Sequence, residues 1–381
     1  MVYLDNASTT KINDSVFDAM VPFLRENYGN PGGLYSIGLY AKNAIEKSRE
    51  KVAFFLGCSP ENVIFTSGGS EGNNMVISGL SYYMKLINKM NFITSSMEHD
   101  SILKSISLQC MLNGFTCTIV KPTSNGIITT DILKDTFEKY GNITGITSIM
   151  YTNNELGTIN DVEKISSICK EYGILFHTDC TQSAGFIDLN MNDIGCDFAT
   201  ISAHKFHGPK GAGALYVKDC KIIKPIISGG SSQEFGMRGG TENVAAIVGM
   251  GVACEIAKND IDKNRKNIIS LRRLFIEYIK SKIENVIINC DNEESKIISL
   301  TIPGVDAQTL VIMLGDRVAI SAGSACCSHE STPSHVLLSI GISEHLARET
   351  IRVSLSDDNT RDDIINGVNE ISNVINTIKS L

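Results

Sequence analysis

The stretch "ISAHKFHGPKGAGALYV", residues 201–217, closes one β-rich run, fixes Lys205 just beyond it, turns through glycines and begins a second β-rich run. Upstream the same texture repeats in "NVIFT" (62–66), "NFITSS" (91–96), "TCTIV" (116–120), "GITSIMY" (145–151) and "ILFHT" (174–178), the run before Lys205 being "FATISAH" (198–204) and the one after it "GALYV" (213–217). Helical stretches separate most of these seven runs. "DSVFDAMVPFLREN" opens on an Asp cap, and "YSIGLYAKNAIEKSREKVAFFLG" stops at Gly57. Such alternation specifies an α/β fold: a mainly parallel seven-stranded sheet flanked by helices on both faces, with functional loops at the carboxyl ends of its strands.

Past a helical segment around residues 241–286 the pattern changes. "SKIISLTIPG" reads as a strand, "DAQTLVIML" as a helix, "ETIRVSL" as a strand and "DDIINGVNEISNVINTIKSL" as a closing amphipathic helix. The expectation is a large domain over residues 14–257 and a smaller α+β domain formed by 1–13 and 258–381, the latter carrying a cysteine loop at about 321–335. No internal repeat or low-complexity linker separates the two.

Composition narrows the function classes. The 381 residues contain 43% hydrophobic residues and 8 prolines, as a compact globular chain does. A net charge of −8 argues against a nucleic-acid surface. "MVYLDNASTT" has neither the basic nor the apolar region of a signal peptide, and the longest apolar run, 244–254, is too short to span a membrane. The 11 cysteines are an odd number without CxxC spacing, so reduced thiols in the cytoplasm are the expectation.

Several loops carry chemistry. Lys205, between Ser202, His204 and glycines, suits a Schiff base with an aldehyde cofactor once its amine is desolvated, although an HK pair alone reads as a surface lysine. Asp179 ends a β-rich run in "ILFHTDCTQSAG", where it can pair with a pyridinium nitrogen or simply cap a turn; Gln182 can donate to a ring oxygen. "FTSGGSEGNN" (65–74) leads from strand to helix, a backbone anion site to which Ser70 adds a hydroxyl. His99, in "SSMEHDSIL", is by itself a capping or core histidine. Asn153 and Asn154, in "YTNNELGTI", can hold a carboxylate or ring oxygen. Arg352, in the apolar "RETIRVSL", is costly to bury unless it meets an anion, structural or substrate. Together these are the requirements of a pyridoxal phosphate enzyme: phosphate loop, stacking histidine, ring aspartate, Schiff-base lysine and carboxylate-binding arginine.

On "YLDNASTT", "HTDCTQSAG", "SAHKFHGPKGAGALYV", "MRGGTEN" and "SAGSAC", the chain resembles the class V, fold-type-I pyridoxal phosphate enzymes, and among them the cysteine desulfurases of the NifS/IscS type. The resemblance implies Lys205 as Schiff-base lysine, Asp179 as pyridinium partner, Gln182 on the ring oxygen, and His99 stacked on the ring and assisting proton transfer. Ser70, Ser202, His204 and the Gly69 backbone would hold the phosphate. Thr241 would reach the phosphate of a neighbouring subunit, implying a homodimer, while Asn154 and Arg352 would hold the substrate carboxylate. Cys326 would be the nucleophile that takes sulfur from L-cysteine as a persulfide, leaving alanine, and a sulfur-acceptor protein would follow. No metal is expected.

Departures from the family pattern are Ala322 for a Ser, Cys327 for a Thr, Ser356 for a Gly, Cys180 for an Ala, and "NPGGLYSIG" (30–38), where Tyr35 stands in place of a His. Cys327 reads as a small packing substitution, as a relay thiol for Cys326, or as part of a metal site with Cys326 and His329; adjacent ligands fit one tetrahedral ion poorly. Without a tail beyond "VINTIKSL", docking of a cluster scaffold through such a tail is not expected. The rival activities are a selenocysteine lyase or another pyridoxal phosphate cysteine or cystine lyase, and, outside enzymes, a non-catalytic sulfur carrier or scaffold.

Overall fold

The computed structural model describes residues 1–230, 232–323 and 333–380. The strands are β1 (Val2–Tyr3), β2 (Val63–Thr66), β3 (Asn91–Ser95), β4 (Thr116–Val120), β5 (Thr144–Ser148), β6 (Leu175–Asp179), β7 (Phe198–Ser202) and β8 (Gly213–Val217). After them come β9 (Ile287–Asn289), β10 (Ile297–Thr301), β11 (Val318–Ala319), β12 (Ser321–Ala322) and β13 (Thr350–Ser354).

All seven β-rich runs of the first half join one sheet in the order β2-β8-β7-β6-β5-β3-β4. Only β8 runs against its neighbours; the remaining pairs are parallel. Strands β2, β3, β5, β7 and β8 are buried along their whole length, because helices cover both faces of the sheet. A second sheet, β12-β13-β10-β9, is antiparallel and carries its own apolar core, built around Leu300, Leu310, Val353 and Ile371.

One local reading changes and one holds. The first helix, Asp14–Arg25, is capped by Asn13, whose side chain accepts the Ser15 N–H, while Asp14 sits in the first turn where its charge favours the helix dipole. The second helix, Ser36–Leu56, ends as expected at Gly57, whose φ of 63° is the left-handed conformation that glycine adopts without strain.

A helix of 39 residues, Val244–Lys282, joins the two halves. Its first part packs Ala253 and Ala257 into the core beneath the large sheet, and its later part packs Ile268 and Phe275 into the core of the small one. The N-terminal strand β1 pairs in parallel with β11, so the start of the chain is stitched to residues more than three hundred positions away.

Candidate active site

The carboxyl ends of β2, β3, β5, β6 and β7 open on one cavity of about 680 Å³. Its walls include Gly69, Ser70, His99, Asn154, Asp179, Gln182, Ser202, His204, Lys205 and Arg352, ten residues singled out in the sequence. Thr241 is not among them; it stands exposed just before the Val244–Lys282 helix. Cys326, Cys327 and His329 lie outside the described residues.

Lys205 follows β7 in a short helical turn, Ala203–Lys205. Its Nζ donates to the carbonyls of Ala7 and Ser8, 2.7 Å each. Burial pushes this amine down to about 8, and the positive charge of Arg352 pushes the same way, against Asp179 and Asp5. Asp179, the last residue of β6, accepts from Asn73 Nδ2 at 2.7 Å and from the Thr181 N–H at 2.9 Å. His204 is held down to about 4 by burial and by the charges of Lys205 and Lys210, so it is a neutral imidazole at neutral pH.

His99 takes the capping reading and stands in the cavity wall. It caps the helix Asp100–Asn113, Nδ1 accepting the Ser101 N–H at 3.1 Å, and its ring lines the cavity. Accepting at Nδ1 leaves the ring proton on Nε2. Asn153 plays another part. Fully buried, it bonds the Met97 carbonyl and the N–H groups of Glu155 and Leu156, fixing the loop that presents Asn154. Arg352 Nη1 donates to the Asn154 carbonyl, and Nη2 to Asp5, Ser8 and Ser321.

The residues sequence reasoning missed are mostly partners. Asp5, Ala7 and Ser8 come from the N-terminal segment and act on Lys205 and Arg352, two of them through backbone carbonyls that carry no side-chain signature. Glu98, fully buried beside His99, accepts from Ser95 Oγ and the Met150 N–H through one oxygen. Glu155 accepts from Ser334 Oγ, and His335 donates to the Glu98 carbonyl, so the segment after residue 332 closes one side of the cavity.

The donor set fits a phosphate-bearing aromatic ring. The helix Gly69–Gly79 starts at Gly68 without a side-chain cap, leaving its first N–H groups to an anion. A Cβ on Gly69 would come within 2.9 Å of Thr181 Oγ1, so glycine keeps this cradle open. Gln182 Nε2 donates to the Ala7 carbonyl, while Gln182 Oε1 and Thr181 Oγ1 are buried polar atoms with no partner among the described residues. Both residues line the same cavity as the anion cradle and Asp179, where a ring with polar substituents would satisfy them. Among the described residues no three His, Cys, Asp or Glu side chains group as metal ligands.

The model of the class-V aminotransferases matches residues 2–366. The chain belongs to the class-V aminotransferase family. Within that family it is 39% identical over 383 residues to a cysteine desulfurase IscS from Dictyoglomus turgidum, covering all of this chain and 96% of the relative. It is 37% identical to the cysteine desulfurase IscS of Rickettsia prowazekii, covering 100% and 92%. Among class-V structures, a NifS-like protein superposes with a TM-score of 0.91 at 33% identity, over 99% of both chains. SspA in complex with cysteine superposes with a TM-score of 0.81 at 33% identity, over 94% of this chain and all of the other.

Proposed function

We propose that this chain is a pyridoxal phosphate-dependent cysteine desulfurase, converting L-cysteine to L-alanine and passing the sulfur to Cys326 as a persulfide. The observation that carries it is the desolvated Lys205 amine at the end of β7, facing the same cavity as Asp179 and Arg352. The names of the relatives support the same reading.

When bound, pyridoxal phosphate supplies an electron-poor ring that makes a substrate Cα–H acidic. Gly69, Ser70, Ser202 and His204 would hold its phosphate, and Thr241 of a second subunit would complete that grip. Asp179, fixed by Asn73 and the Thr181 N–H, would keep the ring nitrogen protonated. Lys205 would hold the cofactor's aldehyde through its neutral amine and would be the base that moves the substrate Cα proton, with His99 Nε2–H beside it to assist. Asn154 and Arg352 orient the substrate carboxylate. Cys326, as thiolate, attacks the substrate sulfur; the S–Cβ bond breaks, and the three-carbon remainder leaves as alanine after protonation.

A homodimer is supported by the apolar side chains that Leu24, Tyr28, Leu34, Tyr35 and Tyr40 expose around the first two helices. The nine described cysteines are free thiols and no described helix is long and apolar enough to cross a membrane, in keeping with a cytoplasmic enzyme that hands sulfur to an acceptor protein.

The test is alanine and sulfide release from L-cysteine together with the visible absorbance of the bound cofactor. Lys205→Ala is expected to lose that absorbance and all turnover. Cys326→Ser is expected to keep the absorbance and lose sulfide release, and Cys327→Ser to keep both. An active Cys326→Ser beside a dead Cys327→Ser would reverse the assignment of the nucleophile, and protein that never takes up the cofactor would leave a non-catalytic sulfur carrier.

A further inference from the structure

The backbone that leads into the anion cradle is held by two carboxylates, each paired with an arginine. In β2 the Phe65 N–H donates to Glu234 Oε2 at 2.7 Å. Arg49 donates to both Glu234 oxygens at 2.8 Å, its guanidinium lying over the Phe65 and Phe235 rings. Two residues further on, the Ser67 N–H donates to Glu71 Oε2 at 2.8 Å. Arg238 donates to Glu71 through Nε at 2.9 Å and through Nη2 at 3.4 Å.

The segment that supplies Glu234 and Arg238 takes a backbone its sequence does not favour. Glu234 and Phe235 have φ of 42° and 55°, the left-handed region that residues with a Cβ rarely enter. The Phe235 ring is half exposed, so its burial does not account for that conformation. What the turn achieves is placement: the Glu234 carboxylate reaches β2, and four residues later the Arg238 guanidinium reaches Glu71. Strain of this kind persists where the surroundings impose it, and it gathers at functional sites.

Glu71 is an awkward neighbour for a phosphate. It stands in the first turn of the helix Gly69–Gly79, whose uncapped N–H groups form the cradle, and its side chain is only 8% exposed. An acid there suits the helix dipole and pins the Ser67 N–H, but a bare carboxylate would repel a dianion arriving at Gly69 and Ser70. Burial alone would raise the Glu71 pKa; the bonds from Arg238 and Ser67 and the Arg238 charge outweigh it and lower it, so Glu71 is ionised at neutral pH. Among the described residues, Arg238 is the cation paired with it.

We propose that Arg238 is a positioning residue for the anion cradle: it fixes the Glu71 carboxylate on the Ser67 N–H and cancels its charge, so that a cradle shaped by an acid still accepts a phosphate. This rests on the cradle holding the phosphate of the cofactor, and the test therefore also reads phosphate by itself.

The experiment measures equilibrium binding to cofactor-free protein for three probes: pyridoxal phosphate, pyridoxal, which has the same ring and aldehyde without the phosphate, and inorganic phosphate. Arg238→Gln is expected to weaken pyridoxal phosphate and inorganic phosphate about tenfold while leaving pyridoxal within about twofold, as one uncompensated charge in a partly screened site would. In a Glu71→Gln background, where no carboxylate needs cancelling, the same substitution is expected to change none of the three by more than about twofold. Arg238→Lys, which keeps the charge but not the planar fork, is expected to fall between wild type and Arg238→Gln. Should Arg238→Gln not fold, Arg238→Lys with and without Glu71→Gln supplies the same comparison. Phosphate binding unchanged in Arg238→Gln overturns the proposal, as does a loss of pyridoxal as large as that of pyridoxal phosphate, or a loss that persists beside Glu71→Gln. Protein that binds inorganic phosphate with this dependence on Arg238 and Glu71, yet gains no absorbance from pyridoxal phosphate, would keep the charge compensation and refute the cofactor reading instead.

Discussion

At Arg352, Nη1 rests on the Asn154 carbonyl and Nη2 is shared among Asp5, Ser8 and Ser321, while the buried Nε has no partner among the described residues. The structural reading of this arginine is met by Asp5, and the unpartnered Nε supports the proposed substrate-carboxylate role. Lysine would keep the charge and lose the planar fork. Arg352→Lys is expected to raise KM for L-cysteine about ten- to a hundredfold, with a smaller change in kcat, as befits a charged hydrogen bond worth roughly 1.5–3 kcal/mol. Steady-state kinetics checks it. That Lys205, Asp179 and His99 would face one cavity was legible because each follows or ends a β-rich run next to a turn. Asp5, Ala7 and Ser8 were not, because their role exists only once distant segments meet.

Among the elements, β2, β3, β5, β7 and β8 could be read because strands buried on both faces are rich in apolar and β-branched residues, and the partly exposed edge strand β4 because Thr, Ile and Val favour a strand. Two-residue strands such as β1, β11 and β12 are too short for any period to show, and their existence follows from pairing rather than propensity. The site also depends on β8, which no catalytic residue occupies. A Cβ on Gly213 would come within 2.7 Å of the Gly68 Cα, so the start of β8 lies directly under the anion cradle. Gly213→Ala must push that backbone aside. The expected outcome is a destabilisation of about 1–3 kcal/mol, seen as a Tm lower by a few degrees, together with weaker cofactor retention on dialysis. Unchanged retention beside a lowered Tm would show that the cradle absorbs the displacement.

Across the whole molecule, buried titratable groups set how stability varies with pH. Burial raises Glu98 to about 8, the Asp179 charge adding to this and the bonds from Ser95 and Met150 opposing it. The native state therefore holds a proton that the unfolded chain releases near pH 4.3, and stability is lost as pH rises through that window up to about 8. His177 and His204, both lowered to about 4 chiefly by burial, give the opposite slope, but only between about 4 and 6.5. From pH 6.5 up to about 8, Glu98 and the raised His207 slope the same way, stability falling as pH rises. Glu98→Gln is expected to flatten the fall of Tm over that interval; calorimetry at several pH values decides it. The expected domain boundary at 257 falls inside the Val244–Lys282 helix, a piece of regular structure about 58 Å long that contributes to both cores. Hydrophobic periodicity reveals such a helix but not where along it one core gives way to the next.

The pairing of Val2 with Val318, and the bridge between Asp5 and Ser354, also bear on how the protein is made. A ribosome adding about 5–20 residues per second needs roughly 18–70 seconds to travel from the first partner of those contacts to the last. Throughout that time the carbonyls of Ala7 and Ser8 can hold Lys205 only provisionally, because β11 and β13, which anchor the N-terminal segment, have not been synthesised. Nascent chains stalled just after the large sheet should therefore retain pyridoxal phosphate poorly, and assembly of the active centre becomes one of the last events of biosynthesis.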